Sequence, residues 1–331
     1  MVGAVLVHEG RIIGEGWHKE YGGPHAEVNC LASVAEEDKH LIPQGTMYVS
    51  LEPCAHYGKT PPCADRLVQE RVKEVIICNT DPHDKVAGKG IEILRAAGIA
   101  VTTGVLEQEG RWLSRRFFCT MDQKRPYVIL KWAQTADGFF APLDRSRYQI
   151  TTQDSRQLLH KWRTEEDAIM VGYQTAVNDN PSLTARLWKG KNPLRIALDK
   201  NLEIPLSHNL FDKEAETWII NSKKAGEDDN IELVQVDFGG NIITQILEKL
   251  YKAGKQSLIV EGGALLLKSF IDAGLWDEAR IFTANSTLEE GIPSPALENA
   301  IHAEQIPVAA DTLDLYINKS SPYSFVPGYE L

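Results

Sequence analysis

No apolar run in this chain approaches the ~20 residues that span a bilayer, and no basic segment leads into an apolar one at its start as in a signal peptide. No membrane partner is expected, and a cytoplasmic location is. Basic residues are short as well: 35 Lys and Arg stand against 46 Asp and Glu, for a formal net charge of −11. A broad nucleic-acid surface needs a basic footprint, so no nucleic-acid partner is expected, whereas a local pocket for one phosphate is compatible with this balance. Cysteine is sparse, five in 331 residues, which is no disulfide scaffold. An odd count without a secretion signal fits a reducing compartment. The second half has no G-x-G-x-x-G. The nearby Gly88-Lys89-Gly90 lacks the third glycine, so the standard dinucleotide fingerprint is missing. Internal repeats, low-complexity segments and long linkers are absent too.

What is there is an ordinary globular composition, 43% hydrophobic and 24% charged, at a length comfortable for two domains. VGAVLV and RIIGEGW, joined by His8-Glu9-Gly10, read as a hairpin. HAEVNCLASVAEE reads as a helix, with Ala26, Cys30, Leu31 and Val34 at helical spacing. TMYVSL, EVIIC and IAVTTG read as strands. CADRLVQERV, entered through Pro61 and Pro62, GIEILRAAG and LEQEGRWLSRRFFCTM read as helices. The polar patch from Asp122 to Pro126 marks a boundary, giving domains of 1–122 and 123–331. The second half restarts with YVILKWAQTADG, a strand into a turn. A helix, TTQDSRQLLHKWRTE with a threonine N-cap, follows. Short strands (DAIMVG, LRIALD, TWIIN, IELVQV, SLIVEGG, DEARIFTA) and two glycine-stopped helices, NIITQILEKLYKAG and ALLLKSFIDAG, complete it. Alternating strands and helices imply two layered α/β domains.

Two of the cysteines, Cys54 and Cys63, bracket a rigid polar loop, LEPCAHYGKTPPC. With His25 they make a three-ligand set for zinc that leaves a fourth position open. Glu27, two residues from His25, is then placed to move protons. Burial of two small thiols beside a helix-capping histidine is the competing reading, and His56 in place of Cys63 is a second ligand arrangement. Cys30, Cys78 and Cys119 sit in apolar segments and read as core.

His25-Ala26-Glu27 followed by Pro53-Cys54 resembles the zinc nucleobase deaminases. In those proteins the second cysteine follows after two residues, and here it follows after eight. Two doublings of loop length cost about 1.2 kcal/mol of closure entropy, small against the roughly 10 kcal/mol of a structural zinc site. The longer form, with VGAVLV, GWHKEYGGPHAE and DPHDKVAGKG, resembles the deaminase half of the bifunctional riboflavin-biosynthesis deaminase/reductases. That likeness implies a cytidine-deaminase-like three-layer domain binding one zinc, with Glu27 catalytic and His18, His56, Lys59 and Asp81 on the ribose-phosphate end of a phosphorylated diaminopyrimidine. It also implies a helix and an Asn-Pro stretch ahead of VGAVLV. The numbered chain starts at the strand, so a shortened chain with a weakened deaminase half is expected.

In the second half, SLIVEGGALLLKSF places Glu261-Gly262-Gly263 between a strand and a helix, where free N–H groups can meet a phosphate. A tight turn explains that stretch about as well. LKWAQTADG, ITTQDSRQLLHKWR, VGYQTAVNDNPSLTAR and VEGG, in that order, are similar to the reductase half of the same family. The likeness implies a dihydrofolate-reductase-like fold using NADPH. It assigns cofactor contacts to Ala133, Gln149, Thr175, Asp179 and the segment Gly263, Ala264, Leu265, Leu266, Leu267, Lys268 and Ser269. It assigns substrate contacts to Arg147, Arg163, Leu183, Arg186 and Glu261. Lys131 and Asp137 flank the first turn and are placed to polarise or orient the ribose. Asp179 also reads as a turn residue before Asn180-Pro181, and Arg163 as a solvated helix arginine. The expected protein is a homo-oligomeric bifunctional enzyme. The alternatives are a nucleobase or tRNA deaminase with an accessory non-reductase domain, which salt-dependent RNA binding would reveal, and a zinc-stabilised binding protein, which the presence of Glu27 disfavours.

Overall fold

The computed structural model describes residues 2–20, 22–57, 61–83, 87–146 and 148–328. By its internal contacts the chain divides after Asp122, and the second unit runs from Gln123 to Phe325.

The first unit is built on β1 (Gly3–His8), β2 (Arg11–Trp17), β3 (Thr46–Leu51), β4 (Glu74–Asn79) and β5 (Ala100–Thr103). They form one sheet in the order β2-β1-β3-β4-β5. The hairpin β1–β2 is antiparallel with His8 opposite Arg11, β1 also runs antiparallel to β3, and β3, β4 and β5 are parallel. Strand alternation sends Ala4, Leu6, Met47, Val49, Val75 and Ile77 to one face. There they meet Ala26, Cys30 and Leu31 of α1 (Ala26–Ser33), Ala64 and Leu67 of α2 (Cys63–Gln69), and Ile91 and Leu94 of α3 (Lys89–Ala96). Burial of each large side chain contributes about 1.5–3 kcal/mol, and this layer fixes where α1 and α2 begin.

Two expectations for this unit need correction. The first helix ends at Ser33, and a 3₁₀ segment, Glu36–Gln44, follows it. LEQEGRWLSRRFFCTM is two helices, α4 (Glu107–Leu113) and α5 (Arg115–Gln123), broken at Ser114, where φ is −106° and ψ 23°. On one straight helix Trp112 and Phe118 would lie about 240° apart, yet both are buried. The break lets each turn inward.

Among the described residues of the second unit, ten strands form one sheet, β11-β12-β10-β9-β8-β13-β6-β14-β17-β16. In chain order these are β6 (Tyr127–Gln134), β8 (Ala168–Val171), β9 (Leu194–Leu198), β10 (Thr217–Asn221), β11 (Gly226–Asp228), β12 (Ile231–Gln235), β13 (Ser257–Gly262), β14 (Glu278–Thr283), β16 (Ala300–Val308) and β17 (Asp311–Asn318), with β7 (Phe139–Ala141) and β15 (Ile292–Pro293) paired separately. The run from β12 to β14 is parallel, while β17 and β16 return antiparallel. Central parallel strands are buried on both faces, and YVILKW in β6 is buried throughout. Helices α6 (Gln153–Glu165), α7 (Tyr173–Asp179), α8 (Ile242–Lys252) and α9 (Ala264–Asp272) connect the strands. Thr152 caps α6 as its sequence suggests, accepting from the Ser155 N–H. The buried Asp311 at the start of β17 accepts from the Thr152 N–H and from the hydroxyls of Thr152 and Ser155, which pins the same helix end. No described helix is long and apolar enough to cross a membrane.

Candidate functional site

In the first unit His25 occupies the N-cap position of α1, but its side chain makes no capping bond. Its Nδ1 lies 3.4 Å from Cys54 Sγ and 3.3 Å from Cys63 Sγ. Cys54 follows the end of β3, and Cys63 is the first residue of α2. All three donor atoms fall within 4.8 Å of one another. In a tetrahedral site with Zn–N near 2.0–2.1 Å and Zn–S near 2.3 Å, N···S separations come to roughly 3.5 Å. The donor set therefore fits zinc in identity and in spacing. His56 is exposed and outside this cluster, so it does not replace Cys63.

The electrostatics suit a cation. Hydrogen bonding from Cys63 holds the Cys54 thiol well below its usual range, and the same contact pushes Cys63 up; a bound zinc would take both as thiolates. The Cys63 N–H also donates to Cys54 Sγ at 3.3 Å. The bond to Cys54 raises His25. Glu27, in the first turn of α1, is 3% exposed. Burial pushes its carboxyl up to about 7, the value a proton shuttle needs at neutral pH. His18, directly after β2, sets its ring edge-on to His25 with centroids 5.5 Å apart. Its Nε2 is buried without a hydrogen-bond partner among the described residues, and buried polar atoms ordinarily have one. Burial raises Asp81, after β4, and the Glu52 carboxylate raises it further. Lys59 lies outside the described residues. Cys30 is inert packing, its thiol pushed up to about 12 by burial, and Cys119 is buried too. Cys78 departs from that reading: it is half-buried and its thiol donates to the Leu106 carbonyl at 2.9 Å.

The second unit holds a cavity of about 1100 Å³ above the ends of β6, β8, β9 and β13. Ala133, Gln149, Thr175, Asp179, Arg163, Leu183, Arg186 and Glu261 all line it, as does Lys131. Of the segment after β13, Gly263, Ala264, Leu265, Leu266 and Ser269 line it, whereas Leu267 and Lys268 do not. A helix turns each residue by about 100°, so a continuous run cannot face one cavity. Leu267 is packed in the core and Lys268 pairs with Asp272. Gly263 has φ +56°, a conformation costly for any side chain, and gives α9 no side-chain cap. The N–H groups at this helix start thus face a space that fits a dinucleotide phosphate. Arg147 lies outside the described residues.

Arg163 is no solvated arginine. It forks onto Glu261, Nε to Oε1 at 3.1 Å and Nη2 to Oε2 at 2.9 Å, and donates to the Thr184 carbonyl at 3.0 Å. Burial alone would raise Glu261, but Arg163 and Lys131 outweigh it and hold the carboxyl low. Burial lowers Lys131 while Glu261 supports its charge. Asp137 does not line the cavity: its carboxylate accepts from the Leu288 and Glu289 N–H groups and the Thr135 hydroxyl, and so shapes the turn after β6.

Two residues escaped the sequence reading. Glu52 stands just before Pro53-Cys54 and is 4% exposed. His160 lies one helical turn before Arg163 on α6, a spacing that places both on one face, and it lines the cavity. The Leu187 N–H donates to its Nδ1 at 3.3 Å. Burial and the flanking Arg163 and Arg186 lower its pKa to about 4. A depressed imidazole leaves folding stability complete above the free value near 6.5 and draws it down as pH falls toward 4. Thermal melts of the wild-type chain against His160→Asn are expected to diverge in pH dependence only within that window. Parallel profiles would show that His160 titrates normally.

Comparison with known proteins gives a consistent picture. Residues 1–79 match the cytidine and deoxycytidylate deaminase zinc-binding region, and residues 126–289 match the RibD C-terminal domain. The riboflavin biosynthesis protein RibD of Aquifex aeolicus is 41% identical over 88% of this chain and 82% of its own length. That of Bacillus amyloliquefaciens is 39% identical over 86% and 78%. The Thermotoga maritima diaminohydroxyphosphoribosylaminopyrimidine deaminase/5-amino-6-(5-phosphoribosylamino)uracil reductase superposes with a TM-score of 0.87 at 33% identity, covering 96% of this chain and 91% of that one. Acinetobacter baumannii RibD gives 0.84 at 30% identity, with the same coverage.

Proposed function

The chain belongs to the RibD family of riboflavin-biosynthesis proteins and is a bifunctional deaminase and reductase, and from that premise we propose how its residues divide the work. The first unit hydrolytically deaminates 2,5-diamino-6-ribosylamino-4(3H)-pyrimidinone 5′-phosphate. The second reduces the ribosyl group of the product to a ribityl chain. The observation that carries the first assignment is the meeting of His25, Cys54 and Cys63 beside the buried Glu27. A zinc held by these three residues would supply the Lewis acid that brings a water's pKa toward neutrality. Glu27 accepts that water's proton, returns it to a ring nitrogen, and carries a second to the departing amine, which leaves as ammonia. His18, with its unpaired Nε2, and Asp81 hold the ribose phosphate. Lys59 and His56 belong to the same end.

In the second unit NADPH supplies the hydride, and the protein supplies its position. The start of α9 at Gly263 receives the cofactor phosphates, with Thr175, Asp179, Ala133 and Gln149 along its length. Glu261 accepts from pyrimidine N–H groups, Arg163 fixes that carboxylate, and Arg186 with Arg147 takes the substrate phosphate. Lys131, at the floor, steadies the ribose oxygen from which charge must be drawn. The homo-oligomer, the lack of a nucleic-acid partner and the cytoplasmic location belong to the same reading. The tRNA-deaminase alternative is not favoured, because a reductase domain occupies the second half.

A chelator separates the two activities. Metal-stripped chain is expected to release no ammonia from the diaminopyrimidine yet to oxidise NADPH at its full rate when given the deaminated intermediate. Loss of both together would contradict the division of labour. Ammonia release that persists without metal would remove the zinc assignment.

A further inference from the structure

We propose that Glu52 is a positioning residue of the deaminase, a carboxylate that ties the Cys54 turn to Asp81 and so holds the metal side and the substrate side of that site in one frame. The inference rests on the deaminase reading given above.

Glu52 directly follows β3 and precedes Cys54 by two residues. Its backbone N–H donates to the Asn79 carbonyl at 2.9 Å, which prolongs the β3–β4 pairing. The side chain is buried, and four backbone N–H groups converge on it. Oε2 accepts from Gly88 at 3.0 Å and from Asp81 at 3.3 Å, and Oε1 accepts from Gly90 at 3.0 Å and from Ile91 at 3.4 Å. Burying a carboxylate is costly unless its lone pairs are satisfied, and here backbone donors satisfy them.

Three of those donors open α3. The first N–H groups of a helix have no partner within it, and its N-cap residue, Gly88, supplies no side-chain acceptor. Glu52 caps α3 from another element. A negative group is favoured there by the helix dipole as well. Gly88 itself has φ +87°, where an Asp or Ser cap would be strained, so the acceptor comes from outside the helix. The fourth donor, Asp81, lies outside the helix, in the segment that carries a candidate substrate group. The approach is close: a Cβ on Gly90 would collide with the Pro53 carbonyl oxygen, so α3 starts directly against the turn that presents Cys54. Glu52 therefore spans Cys54, Asp81 and α3, and none of the three can shift alone. Displacements of about 1 Å at a reacting centre cost roughly 10²-fold in rate, which sets the value of such a tie.

Glu52→Gln is the discriminating variant. It keeps the bulk and one acceptor oxygen but turns an NH₂ group toward two of the four donors. In the full zinc-loaded chain it is expected to keep wild-type zinc content and NADPH oxidation on the deaminated intermediate. The KM for ammonia release should rise tenfold or more, with kcat changed less. The amides of Asp81, Gly88, Gly90 and Ile91 should exchange hydrogen at least tenfold faster, a readout that needs no catalysis. Combining it with Asp81→Asn should add little to the rise in KM, because the tie acts by positioning the Asp81 carboxylate, which that replacement already removes. Faster exchange with unchanged KM would reduce Glu52 to a helix cap and overturn the proposal, as would unchanged exchange or a loss of activity that simply tracks lost zinc. A wild-type chain that releases no ammonia would instead sink the deaminase reading, and the exchange data would still decide the tie.

Discussion

Replacing Glu27 by Gln is expected to lower ammonia release by roughly 10²–10⁴-fold, the range for losing a positioned general acid–base. The amide keeps the size and a hydrogen-bonding oxygen, so α1 should stay in place. It cannot take a proton at neutral pH. Glu27 contributes no donor atom to the His25, Cys54 and Cys63 cluster, so zinc content should match the wild type. NADPH oxidation on the deaminated intermediate should be untouched, because the described residues that line the cavity of the second unit run from Lys131 to Ile292. Coupled ammonia and NADPH assays on one preparation make the comparison. Deamination within tenfold of wild type would remove Glu27 from the chemistry, and another group would have to carry the proton. Zinc lost together with activity would show that the side chain mainly supports the metal site.

Glu261→Gln is expected to lower kcat/KM of the reductase by about 10²-fold and to destabilise the second unit as well. The physical reason is the buried fork with Arg163, whose side chains are 8% and 10% exposed. Truncating one member of a desolvated charge pair costs about 2–5 kcal/mol, largely from the charge left behind. Here two cations are left, because Lys131 leans on the same carboxylate. Without Glu261 the Lys131 pKa should fall further, moving any alkaline limb of the reductase pH profile to lower pH. A loss of 3 kcal/mol corresponds to roughly 6–12 °C in Tm for a unit of this size. The double replacement Arg163→Met with Glu261→Leu should melt above Glu261→Gln, since it strands only Lys131 where the single replacement strands both cations. Equal melting of all three chains would show that the pair carries little stability, and unchanged kinetics would displace Glu261 from the substrate site.

Much of this was legible because the informative residues are chemically unusual in their settings. A histidine and a glutamate two apart, followed by Pro-Cys, have few other uses, and the three donors do converge. Most of the order of strands and helices followed from alternation and helical spacing, but the short α7, β7, β11 and β15 were not read from the sequence. What stayed hidden depends on partners brought from elsewhere in the chain. Glu52 reads as one more acidic residue until four backbone N–H groups are seen around it. His160 reads as a surface helix residue until the Leu187 N–H and two arginines surround it. Assigning all of Gly263 to Ser269 to the cofactor ignored the helical turn that sends Leu267 to the core. The β16–β17 hairpin went unseen because no Asn-Gly or Asp-Gly marks its turn, although TLDLYI in β17 alternates cleanly enough to have been found.

The register of β6 has a consequence for how this sequence can change over generations. Lys131 sits opposite Arg280 and Ala133 opposite Phe282, while Val128, Leu130 and Trp132 belong to the apolar cluster. Deleting one residue early in the strand would deliver Trp132 to the place of Lys131 and drive the ammonium into that cluster, since a slip of one reverses every side chain. Each such deletion leaves the composition almost untouched and destroys the site completely. Lineages of this chain are therefore free to drift letter by letter in β6, but gains and losses of length must be confined to its loops.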